Sequence, residues 1–328
     1  VGGVNTIAAI EAVPALRLSE LWLEQRLFDG LVRLRAGQLA ADVEFFFARS
    51  SALFLQSDFP TISALNLPSG GPAFPLSTPG AMLALEPTPD ATVKLAVFNG
   101  DPAGPGPGDE QVRNRRGTNF HLGDPALFFA EAQFRANQRP EDTGLARTVK
   151  LGGWWHLDDF EDLRFDEAGG FLADPRGTGI PLRRRGNGGI YAVLDQQVWR
   201  PAGGDAASGV SVFGRVSASP PDRSLIEFYL DGGVVAAGLI PGRPRDRFGA
   251  SFIYAQFSRA LRAFERDRLA FAGEAGPVST FELNLELTYR AEILPGFDIQ
   301  PVVTHVWNPG GQEGANALVT GFRTLLRF

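Results

Sequence analysis

The segment GANALVTGFRTLLRF, residues 314–328, decides the fold class of this chain. From Leu318 to Phe328, every second residue is apolar or Thr, and two of the intervening residues are arginines. Side chains alternate between the two faces of a β-strand, so the pattern predicts a strand with one apolar face. Phe accounts for 26 of the 328 residues, so a terminal Phe needs support from the remaining sequence.

A strand with one apolar face and an aromatic last residue is typical of the closing strand of a bacterial outer-membrane β-barrel. The apolar face contacts lipid, and closure of the ring leaves no unpaired strand edge in the membrane. We therefore interpret Phe322, Leu326 and Phe328 as a barrel-closing C-terminal signature.

The composition is compatible with a barrel and excludes several other classes of protein. Mean hydropathy is near zero, and no apolar run approaches the roughly 18–20 residues of a membrane-spanning helix. The 39 glycines and 24 prolines fit a chain with many turns. The absence of cysteine excludes disulfides and thiolate metal ligands. The net charge of −6 argues against nucleic acid as a partner.

Alternation of apolar and polar residues recurs along the chain, most clearly in FELNLELTYR, residues 281–290. An amphipathic helix would place Glu282 and Glu286 on one face with Leu285, so this pattern favours a strand. Fourteen strands are predicted in this way: 1–10, 16–28, 31–39, 80–86, 91–98, 126–136, 146–157, 188–199, 208–218, 224–240, 247–258, 277–291, 296–308 and 316–328.

The predicted connections alternate in length, as they do in barrels with short periplasmic turns and longer outer loops. This alternation requires residues 224–240 to be one strand with a glycine bulge, not a hairpin that turns at residues 231–233. The sequence thus predicts a single transmembrane antiparallel up-and-down β-barrel domain over residues 1–328. Its long outer loops are predicted near 40–79, 99–125, 157–187 and 259–276.

The Asp-Gly pair at 29–30 predicts a tight hairpin turn. The resulting register places Glu24 opposite Arg35 and Arg26 opposite Arg33, all on the face opposite the leucines of the same strands. Glu24 then offsets the repulsion between the two arginines of the second pair. This face is predicted to line the lumen of the barrel.

Several segments are recognisable in order along the chain: RLSELWLEQRLFDG (17–30), AVFNGDP (96–102), YAVLDQQVW (191–199), GLIPGR (238–243) and IQPVVTHVWNPG (299–310). Together with residues 321–328, they resemble the carbohydrate-selective porin (OprB) family of bacterial outer-membrane proteins. The resemblance implies a sixteen-stranded barrel in the envelope of Gram-negative bacteria that passes sugars by diffusion. Fourteen readable strands then imply about two strands upstream of Val1, so we interpret the start as processed or incomplete.

The same resemblance sets the expected partners of the chain. They are sugars or other small polar solutes, outer-membrane lipid and lipopolysaccharide, with no cofactor and no nucleic acid. Trimers are common among porins, so a homotrimer is one candidate assembly, but no residue pattern indicates an interface.

A sugar pore needs a constriction in which charged groups bind hydroxyls and an aromatic ring stacks on the apolar face of the sugar. Strand parity gives ten pore-lining candidates: Trp22, Glu24, Arg26, Arg33, Arg35, Lys94, Glu131, Arg135, Lys150 and Trp154. Of these, Glu24, Arg33 and Arg35 are favoured because they cluster at mid-strand. The alternative for each residue is a polar wall that holds water and pairs its own charges.

Two of the long loops, 40–79 and 99–125, are candidates for folding into the pore and narrowing it. The run EFFF at 44–47 and Phe54 are too apolar for a solvated loop tip, so they are predicted to pack inside the barrel mouth. Five aromatic residues lie at or near strand ends or on predicted outer faces and are candidates for an interfacial aromatic belt, with ordinary strand packing as the alternative: Trp155, Tyr191, Trp199, Tyr289 and Trp307.

The acidic residues Asp158, Asp159, Glu161 and Asp162 are a weak candidate for Ca²⁺ binding, since they lack the spacing of an EF-hand. A solvated loop is favoured for them. Residues 183–185 are three arginines, which either attract lipopolysaccharide or are simply solvated. No enzyme motif is present, and the three histidines are far apart in sequence.

A passive sugar channel is therefore the predicted function. One alternative retains the barrel but makes it a general or anion-preferring porin. A remote alternative is a soluble carbohydrate-binding β-sandwich.

Overall fold

The computed structural model describes residues 1–8, 13–59, 70–139 and 141–327. In these ranges, thirteen antiparallel strands form one sheet in which each strand pairs with its neighbours in sequence. The strands are β1 Leu21–Leu27, β2 Val32–Leu39, β3 Thr78–Thr88, β4 Ala91–Asn99, β5 Ala126–Ala136, β6 Arg147–Asp166, β7 Pro181–Trp199, β8 Gly209–Ala218, β9 Ile226–Ala237, β10 Arg247–Phe257, β11 Phe281–Leu294, β12 Phe297–Trp307 and β13 Asn316–Leu326.

The strand order confirms the predicted all-β, up-and-down topology. A β-sandwich would need two sheets packed face to face, whereas the described residues form a single sheet. The edges of this sheet are β1 and β13, so the sixteen strands implied by the family resemblance stay a prediction.

The two faces of the sheet have opposite polarity. Leu23, Leu151, Ile190 and Phe322 lie on the outer face, and each is between 62% and 79% exposed. The inner face of β11 instead buries Glu282, Glu286 and other polar residues. Apolar side chains outside and polar side chains inside are expected where the outer face contacts lipid. Phe322 and Leu326 of the predicted closing signature are exposed on this outer face, while Phe328 lies outside the described residues.

The predicted strand 1–10 is wrong over its described part. Residues 1–8 form no strand, and the backbone N–H groups of Val4 and Asn5 donate to the carboxylate of Glu282, at 2.8 and 3.0 Å. An inner-wall carboxylate thus satisfies backbone donors that a neighbouring strand would otherwise satisfy.

The register of the first hairpin is as predicted, with Glu24 opposite Arg35 and Arg26 opposite Arg33. Positive φ angles at Phe28 (54°), Asp29 (55°) and Gly30 (91°) make the turn between β1 and β2. The two-residue turn signal therefore determined which side chains share the inner face.

β9 runs without interruption through residues 231–233, so the predicted continuous strand is confirmed. The predicted glycine bulge is wrong, because the glycines pair in regular register with both β8 and β10. A Cβ atom on Gly233 would lie 2.7 Å from the ring of Phe213. Gly233 is therefore required by close packing rather than by backbone irregularity.

Regular structure occurs inside several of the predicted loops, including 99–125, 157–187 and 259–276. Most of residues 157–187 extends β6 to Asp166 and begins β7 at Pro181, so this segment is a long hairpin rather than a loop. Residues Arg259–Ala272 form a helix, α2, after the short helix α1 at Glu110–Arg113. No helix in the described ranges is long and apolar enough to cross a membrane.

Of the aromatic belt candidates, Trp155 and Trp199 are about half exposed, as expected at an interface with lipid. Tyr191 is instead buried on the inner face and is not part of a belt.

Candidate pore constriction

Residues 40–59, which we call the inserted segment, follow β2 and fold back into the interior of the sheet. Their aromatic side chains are buried against aromatic residues of the inner wall. Phe45 stacks on Phe129 at a centroid distance of 4.9 Å, and Phe59 meets Phe213 edge to face at 5.5 Å. This confirms the prediction that the run EFFF packs inside the barrel.

Polar wall residues bind the backbone of the inserted segment from several directions. Glu131 of β5 accepts the N–H of Phe46 at 2.9 Å, and Glu286 of β11 accepts the N–H of Leu55 at 2.9 Å. Gln300 of β12 donates to the carbonyl of Leu53 at 2.8 Å. One short segment contacts strands that are far apart in the sheet order, so the sheet must wrap around it. These bonds meet the requirement that buried loop backbone is hydrogen-bonded.

A fully buried ion pair anchors the far end of the inserted segment. Arg215 of β8 pairs with Asp231 of β9, and Arg215 also donates to the carbonyls of Phe46 and Phe59, at 3.3 and 3.2 Å. The hydroxyl of Tyr229 donates to Asp231 at 2.7 Å. We call Arg215, Tyr229 and Asp231 the Arg215 network. The sequence does not reveal this network, because strand parity places both charges inside without indicating what covers them.

A second group of charges lies where the inserted segment begins. Arg35 pairs with Glu24 at 2.7 Å and also with Glu44, which the inserted segment contributes. Lys94 approaches the same Glu44 carboxylate at 3.0 Å, and Arg33 lies 3.3 Å from Glu24. The guanidinium carbon of Arg35 stands 4.1 Å from the ring centre of Trp22. We call this group the Arg35 cluster: Trp22, Glu24, Arg33, Arg35, Glu44 and Lys94.

The Arg35 cluster differs from the Arg215 network in its access to solvent. Its charged side chains remain 10–16% exposed, and Trp22 is 43% exposed, whereas Arg215 and Asp231 are fully enclosed. Burial alone would raise the pKa of Glu44, but the charges of Lys94 and Arg35 hold that pKa below its usual value. Glu44 is therefore ionised at neutral pH and completes an alternating array of charges.

The structure thus brings together five predicted candidates, Trp22, Glu24, Arg33, Arg35 and Lys94, and adds Glu44. Sequence analysis placed Glu44 inside the barrel only as part of an apolar run. Its pairing with two cationic wall residues required knowledge of how the segment folds back.

The remaining candidates occupy other positions. Glu131, Lys150 and Trp154 lie on the inner face and all three are buried; Glu131 binds the inserted segment at Phe46, Lys150 lies 3.8 Å from Glu131, and Trp154 packs on Tyr191. Arg26 is largely exposed near the first turn. Arg135 donates to the hydroxyl of Thr92 at 3.1 Å near another short turn.

The loop 99–125 does not join the inserted segment. It contacts residues before β1, where the N–H of Leu18 donates to the carbonyl of Arg116 at 2.9 Å and Arg17 donates to the carbonyl of Gln111 at 3.0 Å. Among the described residues, the inward-folded segment that carries wall contacts on β5, β8, β11 and β12 is therefore 40–59.

The weak calcium candidate does not form a metal site in the structure. Asp162 accepts Arg184 at 2.8 Å and the backbone N–H of Arg164 at 2.8 Å, so its oxygens are already bound. Within the described ranges, no three His, Asp or Glu side chains gather in a way suited to a metal ion.

Comparison with known proteins decides the family. The model of the family described as "Carbohydrate-selective porin, OprB family" matches residues 1–328, which is the whole chain. This chain belongs to that family. The OprB-family porin is 24% identical over 324 residues to Porin B of Pseudomonas aeruginosa, a match that covers 94% of the chain and 67% of Porin B.

Solved structures agree with this assignment at the level of the fold. The OprB-family porin superposes on the high-pH structure of Pseudomonas putida OprB with a TM-score of 0.86 and 22% identity, covering 99% of the chain and 76% of that structure. The low-pH structure of the same protein gives a TM-score of 0.55 and 17% identity, covering 94% and 67%. The protein is therefore an outer-membrane β-barrel and a sugar porin, and porin membership implies a channel rather than an enzyme.

Proposed function

We propose that sugars cross the barrel beside the inserted segment and that the Arg35 cluster is the constriction they pass. Arg33, Arg35 and Lys94 offer hydrogen-bond donors to hydroxyl groups, and Glu24 and Glu44 offer acceptors. Trp22 presents an exposed ring on which the apolar face of a sugar can stack. The observation that carries this proposal is Arg35, which is shared between a wall carboxylate and a carboxylate of the inserted segment while staying partly exposed.

The competing explanation is that the Arg35 cluster only holds the inserted segment in place. That role is already filled by contacts that exclude solvent, namely the Arg215 network and the bonds to Glu131 and Glu286. A purely structural cluster would gain nothing from partial exposure or from an exposed Trp ring. Access to solvent therefore favours a role in solute passage.

Passage through such a constriction is passive. Each donor that binds a sugar hydroxyl must leave a salt bridge or water, so the net gain per hydrogen bond is only about 1 kcal/mol. Weak binding lets the solute leave as readily as it enters, and no energy source is required.

The proposal is tested by the double variant Arg33→Ala with Arg35→Ala. In liposome swelling assays, we expect the preference for glucose over amino acids of equal size to fall about fivefold, equivalent to roughly 1 kcal/mol of lost solute interaction. Removal of two positive charges should also shift the reversal potential in planar bilayers toward cation selectivity.

Arg176→Ala is the matched control, because Arg176 is exposed and pairs with Asp174 in the hairpin between β6 and β7. It should change neither measurement. Unaltered flux and selectivity in a folded double variant would remove the Arg35 cluster from the constriction. Equal passage of glucose and amino acids through the wild-type barrel would instead support a general porin.

We further propose that the porin assembles as a homotrimer, an expectation supported by the porin resemblance alone. Each chain carries its own Arg35 cluster, so single-channel recordings should show conductance in groups of three equal steps. Single uniform steps together with a monomeric mass in detergent would contradict the trimer.

A further inference from the structure

A polar cavity of about 390 Å³, separate from the Arg35 cluster, lies at the end of the barrel that carries the short turns. Its volume is within the range of about 300–1,000 Å³ that is typical of small-molecule sites. The charged residues of its lining are four arginines and two aspartates: Arg245, Arg247, Arg290, Arg327, Asp205 and Asp298. The lining is therefore net positive, although the chain as a whole is net negative.

Arg247 points into the lumen. It is the first residue of β10, and a Cβ atom added to Gly249, two positions along the same strand, would lie 2.7 Å from Leu53 and 2.8 Å from Phe54 of the inserted segment. Residues two apart on a strand share a face, so Arg247 is on the inner face as well. The cavity is therefore part of the solute path and not of the lipid-facing surface.

The arginines of the cavity differ in how they are paired. Arg290 and Arg327 share the carboxylate of Asp298, with Arg327 at 2.8 Å, and Arg245 pairs with Glu292 at 2.8 Å. The side chain of Arg247 has no hydrogen bond or salt bridge to any described residue. Its guanidinium donors are therefore free.

Arg247 is unpaired in an environment of like charge. It lies directly opposite Arg290 in the register of β10 and β11, an arrangement that is destabilising for two cations. An anion placed between Arg247 and Arg290 would relieve this repulsion.

We propose that this cavity is a subsite for the anionic group of a charged sugar, a carboxylate as in a hexuronate or a phosphate as in a hexose phosphate. Arg247 provides the free planar guanidinium, which binds carboxylate or phosphate through two parallel N–H bonds. The inference rests on the proposed function, because the sugar must first pass the Arg35 cluster.

The test compares uptake of glucose, glucuronate and glucose 6-phosphate by proteoliposomes that contain wild-type porin or Arg247→Gln. In the variant, we expect uptake of the charged sugars relative to glucose to fall on the order of tenfold at low salt. Glucose uptake should fall much less than uptake of the charged sugars, because the Gln amide still donates to hydroxyl groups and only the charge is lost. A larger fall for glucuronate indicates carboxylate as the ligand group, and a larger fall for glucose 6-phosphate indicates phosphate.

Arg176→Gln is the control outside the lumen, because Arg176 is exposed and pairs with Asp174 in the hairpin between β6 and β7. Heat-dependent mobility in SDS gels verifies that each barrel is folded. An unchanged uptake ratio in Arg247→Gln, or an equal fall for glucose, would overturn the anionic subsite. A wild-type barrel that passes no glucose would contradict the proposed function instead.

Discussion

The Arg35 cluster and the Arg215 network hold the same inserted segment with the same kinds of residue, yet they differ in burial. Arg215 is enclosed and binds two backbone carbonyls of the segment together with Asp231. Arg35 is partly exposed and binds carboxylates, one on the wall and one on the segment. The difference shows that burial, rather than residue type, separates an architectural charge from one that a solute can reach.

The largest expected effect on stability comes from removing a charge from the enclosed Arg215 network. Arg215→Ala leaves the buried carboxylate of Asp231 unpaired, which should destabilise the barrel by about 3–5 kcal/mol. The heat-induced shift in SDS gels should occur at a clearly lower temperature. The double variant Arg215→Met with Asp231→Leu should recover much of this loss, because no uncompensated charge remains. An unaltered shift temperature in Arg215→Ala would refute the anchoring role.

A smaller effect is expected from pH, through a carboxyl group at the start of the inserted segment. Burial, with a lesser contribution from the charge of Glu20, raises the pKa of Asp42 to about 6. The folded barrel therefore retains a proton at pH values between about 4 and 6 that the unfolded chain releases. Stability should fall by up to about 3 kcal/mol as the pH rises through this window.

The Asp42→Asn variant checks this prediction, because the amide oxygen can still accept the N–H of Phe74, which Asp42 accepts at 3.0 Å. This variant should lose the dependence of stability on pH between about 4 and 6, as measured by thermal unfolding in detergent. An equal pH dependence in wild type and variant would assign the effect to another group.

The smallest effect on stability is expected from a substitution in the partly exposed Arg35 cluster. Glu44→Gln removes the carboxylate shared by Arg35 and Lys94, but partial exposure should limit the loss of stability to about 1 kcal/mol or less. The reversal potential in planar bilayers should shift toward anions, since one negative charge leaves the lumen. A loss of stability as large as that of Arg215→Ala would erase the distinction between the two regions.

Much of the wall could be predicted from the sequence because its signals are local. The period of two assigned the strands, and the Asp-Gly turn fixed Glu24 opposite Arg35. Predictions from local pattern are wrong where contacts between residues distant in sequence determine the structure. The sequence predicts a strand over residues 1–10, but the backbone N–H groups of Val4 and Asn5 bind Glu282, which lies more than 270 positions along the chain.

The sequence by itself determined a barrel with apolar residues outside, charged residues inside and an apolar loop segment that must be buried. The alternation of apolar and polar residues and the turn residues are sufficient for this, because both depend only on residues that are close together in sequence. The tertiary structure alone decided which inner charges remain accessible: Glu131 and Arg215 lie under the inserted segment, while Arg35 and Arg247 do not. The physical reason is that access depends on where residues 40–59 come to rest against strands distant in sequence, and no local pattern encodes that position.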